Sequence, residues 1–308
     1  MIWLFSVFLF CQEVPTEPKV QLQLESIGTM LVPGRAMPVR FTMVNATETE
    51  ISLDEPVDYL AGLEIRDPQG RVLKAPGKLR EVMRRHKLGK KGFVGREIDV
   101  SSLLSVPAEK EGLYVLRWHF QDMVSSEIQV YVIRQWQAIL ETTVGRLVVE
   151  FFPETAPKNV LNFLSLSRSG FYKNVPLTRV VPGYMIEVRK EDSEKKILSV
   201  PLEVGPRKHQ RGSLSMSRGP GIDSATTEFY FTLGPAPQLD GKYTLFGHVV
   251  EGIDVLQAIS SAESDHSPCA KCGQVLPANP TQHCRVHHND RPKEDIVIRS
   301  IQLRSKDN

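Results

Sequence analysis

Cysteine is scarce in this chain, with four in 308 residues, too few for a fold built on disulfides. Three of them, Cys269, Cys272 and Cys284, crowd together near the C-terminal end, which points to a local site. Excess charge of either sign is also lacking: 38 basic against 36 acidic residues leave a net charge of +2. That is far from the positive field that nucleic-acid binding needs, so no nucleic-acid partner is expected. No apolar run reaches the roughly 20 residues that span a bilayer. A chain that is 41% hydrophobic and 24% charged has enough to build packed cores, which excludes disorder and collagen. Its length exceeds what one core usually serves, so two domains are expected.

The longest apolar stretch is Met1 to Cys11, interrupted only by Ser6, and a polar, proline-spaced stretch follows to Lys19. Its length suits the apolar part of a secretory signal, although no basic residue precedes it and no small-x-small cleavage site is evident. The expectation is an exported protein of the periplasm or cell envelope, with residues 1–19 as signal-like segment and linker. Lipid modification of Cys11 is an alternative that would add a membrane anchor, and an unprocessed strand is another.

From Val20 to Ile133 apolar residues recur with period two. Val39, Phe41 and Met43 alternate with Arg40 and Thr42, and Tyr114, Leu116, Trp118 and Phe120 alternate with Arg117 and His119. Such alternation marks half-buried antiparallel strands. Val32-Pro33-Gly34 and Asp67-Pro68-Gln69-Gly70 supply turn chemistry between them, the second fitting a type I turn. About seven strands in about 115 residues predict an immunoglobulin-like β-sandwich over residues 20–133. The basic run from Lys78 to Arg96 reads as a solvated loop or short helix, or else as a docking site for an acidic partner or an anionic membrane surface. Asn45-Ala46-Thr47 matches a glycosylation sequon. No chemistry is assigned to this half.

Past Trp136 the texture changes. Ala138 to Phe152 reads as a hairpin turning at Val144-Gly145, and a helix should follow. Thr155 can cap it, Pro157 suits its first turn, Val160, Phe163 and Leu164 form a buried stripe, and Gly170 ends it. Here the sequence resembles the cyclophilins. The likeness is carried by Glu150-Phe-Phe-Pro-Glu-Thr-Ala-Pro-Lys-Asn-Val-Leu-Asn-Phe163, Ser169-Gly-Phe-Tyr172 and Arg179-Val-Val-Pro-Gly-Tyr-Met185. It continues through Arg211-Gly-Ser-Leu-Ser-Met216, Asp223 to Phe231, Leu239 to Val249, the helix Glu251 to Ile259 and the strand Ile296 to Leu303. The blocks are collinear over residues 136–304. The resemblance implies a mainly β chain whose second domain is a closed eight-stranded antiparallel barrel with two capping helices and a groove on its outer face.

It also implies peptidyl-prolyl cis–trans isomerase activity on proline-containing polypeptides, needing no cofactor. By the family's motif Arg179 is the catalytic arginine, grouped with Tyr184, Met185 and Glu187. Tyr230, Leu239 and Tyr243 would bind substrate, with backbone groups of Ser217 and Arg218. Four departures stand out. Leu177-Thr178 replaces the family's Phe-His, and Glu187 stands where the family has glutamine. The Gly-Gly-Asp that normally follows is absent, and Gln238 replaces a tryptophan found in some members. The glutamate would place a carboxylate near Arg179, where an ion pair could turn the guanidinium away from substrate. The alternative is a non-catalytic module that binds proline-containing segments, and a third reading gives the main function to the sandwich as a docking domain.

Between the last helix and last strand lies an insertion, 262–292. It contains Cys269-Ala-Lys-Cys272-Gly and, after eleven intervening residues, Cys284-Arg-Val-His287. Two close ligand pairs separated by a loop describe a tetrahedral structural zinc site, with Gly273 allowing the tight knuckle. His266, His283 and His288 leave the fourth ligand open. A Cys269–Cys272 disulfide with Cys284 free is the competing reading, and an oxidising compartment would favour it.

Overall fold

A computed structural model describes residues 19–26, 30–31, 35–75, 83–104, 110–190, 198–263 and 290–306. The signal-like segment, Cys11 and all four proposed zinc ligands lie outside the described residues. The chain divides into two compact units. One comprises Met1–Ile27, Met37–Val100 and Tyr114–Gln129, and the other Gly28–Ala36, Ser101–Leu113 and Val130–Asn308.

In the first unit, Val20–Ser26, Pro38–Asn45 and Phe93–Asp99 form an antiparallel sheet with the middle strand at its centre. Gly112–Phe120 pairs with Leu63–Arg66, which pairs with Val72–Lys74. Period-two alternation turns Phe41 and Trp118 inward from their separate sheets, and the rings meet edge to face at 5.4 Å. Tyr59 stacks on Trp118 at 5.2 Å, and all three are essentially unexposed. Two faces joined by such a core make the expected sandwich. The Asp67 turn forms as anticipated, with the Gly70 N–H donating to the Asp67 carbonyl and the Asp67 carboxylate accepting the backbone N–H of Gln69 and Arg71.

One expectation for this unit needs correction, and one motif match is answered by burial. Most of the described part of the basic run is strand, not loop or helix: Met83–Leu88 pairs with Ile51–Pro56, Phe93–Asp99 follows as another strand, and only the turn at residues 89–92, which holds Lys90 and Lys91, lies between them. Pairing places Arg85 against Asp54, and their side chains bond at 2.9 Å. Asn45 is fully buried, its Nδ2 donating to the carbonyls of Thr49, Leu88 and Gly89. The amide that a glycan would occupy is therefore engaged inside the fold.

The second unit contains the barrel. Its strands run in the order Trp136–Thr142, Arg146–Phe151, Leu245–Glu251, Ser213–Met216, Phe229–Thr232, Met185–Val188, Val175–Val181 and Val297–Ser305. The last pairs with the first, Trp136 opposite Ser305, and every pairing is antiparallel. Phe163, from the helix Pro157–Arg168, is fully buried and packs against Phe151, Tyr172, Phe229 and Phe246 with ring centroids 5.2–5.5 Å apart. Truncating such a ring typically costs about 3–5 kcal/mol.

This helix is not capped by Thr155, whose hydroxyl donates to the Phe152 carbonyl. Ala156 takes the cap position without a side-chain bond. The Glu203 carboxylate instead accepts the N–H groups of Lys158 and Asn159 and the Asn159 side-chain amide, supplying the anion that a helix N-terminus favours. The second helix, Ile253–Ser260, begins after Gly252 at φ 85°. A Cβ there would lie 2.2 Å from the Arg146 carbonyl oxygen, so only glycine fits.

Candidate active-site groove

The alternation of the barrel strands decides which residues reach the outer face. In Phe229–Thr232, Phe229 and Phe231 join the interior core, whereas Tyr230 joins a separate cluster with Val181, Tyr184, Met185, Ala236 and Leu239. Strand register then aligns one row: Arg179 opposite Glu187, Glu187 opposite Tyr230, and Tyr230 opposite Ser215. The turn from Val181 to Tyr184 closes with the Tyr184 N–H donating to the Val181 carbonyl, and Gly183 takes φ 71° after Pro182. That composition suits a type II turn, and it swings Tyr184 to the rim of the row.

A groove of about 620 Å³ lies over this row. All nine residues expected to act there line it: Arg179, Tyr184, Met185, Glu187, Ser217, Arg218, Tyr230, Leu239 and Tyr243. Thr178, Arg189, Gly219 and Pro220 complete the lining. Tyr243 stands edge to face with Tyr230 at 5.9 Å, and the Arg218 guanidinium lies 5.0 Å over the Tyr243 ring. The Arg218 Nε–H donates to the Lys242 carbonyl, and Nη1 donates to those of Gly219 and Gly221, so the cation forms a fixed side wall. The result is an apolar floor with charged walls.

The ion pair expected between Arg179 and Glu187 is not what forms. Arg179 donates from Nε to Asp290 Oδ2 at 3.0 Å, with only 13% and 5% of the two side chains exposed. Its Nη2 is buried with no hydrogen-bond partner among the described residues. Glu187 accepts the Ser217 hydroxyl at 2.7 Å and lies 3.8 Å from Arg189, which is itself paired with Glu228.

Beneath Tyr230 runs a buried polar chain that motif reading missed. The Asp240 carboxylate accepts the His209 backbone N–H at 2.9 Å and meets Nδ1 at 2.8 Å. A carboxylate can only accept, so Nδ1 carries hydrogen, and in the neutral ring Nε2 is an acceptor for Ser215 at 2.9 Å and Tyr230 at 3.4 Å. Burial pushes the Tyr230 phenol well above its usual range, so it remains a donor. Burial is the largest single influence and opposes ionisation of Asp240, but the hydrogen bonds from His209 together with the attraction of His209 and Lys208 hold the carboxyl below its ordinary value.

The profile of the cyclophilin type peptidyl-prolyl cis-trans isomerase/CLD family matches residues 138–303, more than half the chain. The chain belongs to this family. It is 37% identical over 139 residues to a peptidyl-prolyl cis-trans isomerase-like 2 of Gibberella zeae, covering 42% of this chain and 24% of that protein. It is 32% identical over 171 residues to peptidyl-prolyl isomerase CWC27 of Cryptococcus neoformans, covering 53% of this chain and 34% of that protein. Against peptidyl-prolyl cis-trans isomerase ppi1 of Schizosaccharomyces pombe, identity is 32% over 141 residues, 42% of this chain and 87% of that one. The chain thus spans about a quarter to a third of the first two relatives and most of the third.

These matches overturn the expectation of export. The relatives are cyclophilins of the isomerase-like 2 and CWC27 kinds, not exported ones. The periplasmic or envelope location, and the lipid anchor at Cys11 that went with it, are therefore set aside. No helix among the described residues is long and apolar enough to cross a membrane.

Proposed function

We propose that this cyclophilin domain accelerates cis–trans exchange of X-Pro bonds in polypeptides, with Arg179 as the catalytic residue. The observation that carries the reading is a largely buried guanidinium held by a carboxylate in the wall of an apolar groove. Rotation about the prolyl amide breaks no covalent bond but loses C–N double-bond character, at a barrier of about 18–20 kcal/mol. Uncatalysed exchange takes tens of seconds or more. As the bond twists, the lone pair localises on the proline nitrogen, and a fixed cationic donor stabilises that state more than either planar one. Met185, Tyr184, Tyr230 and Leu239 offer apolar surface for the pyrrolidine ring. The floor grips while the arginine acts.

Clients are proline-containing polypeptides in general, and the narrower assignment to exported clients is dropped with the corrected location. Exchange spectroscopy on a short X-Pro peptide tests the reading. Wild type should accelerate exchange, and Arg179→Ala should lose about 10²–10³-fold, the usual cost of removing one preorganised donor, while remaining folded. An inactive wild type that still binds the peptide would instead make the groove a binding module.

A further inference from the structure

Asp290 lies 111 positions from Arg179 in sequence, just before the closing strand of the barrel, yet it grips that arginine in two ways. Its carboxylate accepts the Arg179 Nε–H, and its backbone carbonyl accepts the N–H of Val180 at 2.7 Å. Side chain and adjoining backbone are therefore fixed by one residue. Water does not compete for the contact, because the carboxylate is 5% exposed. We propose that Asp290 is the positioning residue of the isomerase site, fixing the Arg179 guanidinium in the wall of the groove where the twisting amide would lie.

The proposal rests on the reading of Arg179 as catalytic and adds to it. A long arginine side chain has several rotatable bonds, and a guanidinium tethered at only one end would sample many orientations. Anchoring Nε restricts rotation about the last of them and orients the planar fork. Glu187, opposite Arg179 in register, is drawn away by Ser217 and Arg189, so the carboxylate that orients Arg179 is the distant Asp290. An effect confined to orientation predicts a loss in turnover with little change in peptide binding.

The experiment compares wild type, Asp290→Ala, Asp290→Asn and Arg291→Ala on one X-Pro peptide, measuring kcat and KM separately and following the Arg179 Nε–H resonance by NMR. Arg291 is exposed and pairs with Asp295, so its variant should match wild type. Asp290→Ala should lower kcat at least tenfold with KM within threefold, and the slowly exchanging Nε–H signal should vanish. Asp290→Asn retains an acceptor of the same shape and should recover the signal and most of the rate. Should the alanine variant fail to fold, Asp290→Glu serves in its place, since it keeps the charge but displaces the carboxylate, and the same tenfold loss is expected. An alanine or glutamate variant turning over at the wild-type rate overturns the proposal. So does an equal loss in the alanine and asparagine variants accompanied by a raised KM, which would mark a purely structural contact. A wild type unable to isomerise the peptide sinks the reading of the groove itself, and the role of Asp290 with it. An active wild type with an inactive Arg179→Ala and an unaffected Asp290→Ala sinks the role of Asp290 alone.

Discussion

Glu187→Gln separates the two carboxylates that sequence and structure offer to Arg179. The glutamate is 8% exposed, and its Oε1 accepts the Ser217 hydroxyl at 2.7 Å. Glutamine retains an oxygen for that bond, but a charge-assisted hydrogen bond becomes a neutral one, a difference of about 1 kcal/mol. The other loss is attraction to Arg189 at 3.8 Å, whose side chain is 46% exposed, so screening holds it to about 0.2–1 kcal/mol. Together about 1–2 kcal/mol of stability should go, lowering Tm by about 2–8 °C for a domain of this size. Turnover should behave differently. Because Arg179 is anchored by Asp290, removing the Glu187 charge should change kcat/KM by less than about threefold, equivalent to about 0.7 kcal/mol. Thermal melts and exchange spectroscopy on the same sample report both quantities. A rise of tenfold or more would refute the reasoning, because it would mean that Glu187 had been withholding the guanidinium from substrate.

Acid should test the chain beneath Tyr230. The Asp240 carboxyl titrates below its ordinary value of 3.8 in the folded state, so its stabilisation is present above that pH and is lost as pH falls through the lowered folded value. Asp240→Asn should therefore flatten the fall in Tm below about pH 4, and an acid limb as steep as in wild type would count against the His209–Asp240 bond. For the insertion, the Cys269, Cys272, Cys284 and His287 spacing is expected to hold one zinc ion, with binding worth on the order of 10 kcal/mol to that segment. Elemental analysis of untagged protein should find about one zinc per chain, lost in Cys272→Ser. Metal-free protein with a Cys269–Cys272 disulfide by mass spectrometry would refute it.

The groove was legible in sequence because its residues sit in short, ordered blocks, and strand alternation tells which of them face outward. Tyr230 between Phe229 and Phe231 is the clearest case, with one ring to the groove and two to the core. Distant partners left no such trace. Asp290 carries no periodicity, and only closure of the barrel brings it to Arg179. Glu203 reaches the first helix from 44 positions away, and this carboxylate displaced the local capping rule that pointed to Thr155. The same blindness assigned Glu187 to Arg179 by adjacency, since Ser217 arrives from another strand.

Closure of the barrel by Val297–Ser305 has a consequence for the order of assembly. Until that strand docks, Trp136–Thr142 and Val175–Val181 are both sheet edges, with unsatisfied backbone groups open to pairing with other chains. The pairing of Trp136 with Ser305 joins the two ends of the domain, among the least local contacts the chain makes, and such contacts form late because loop closure precedes their reward. Arg179 sits on one of those waiting edges, and its anchor Asp290 lies seven residues before the strand that seals it. The groove can be complete only after the barrel has lost its last edge, so during refolding isomerase activity should return with the slowest phase and coincide with the end of susceptibility to aggregation.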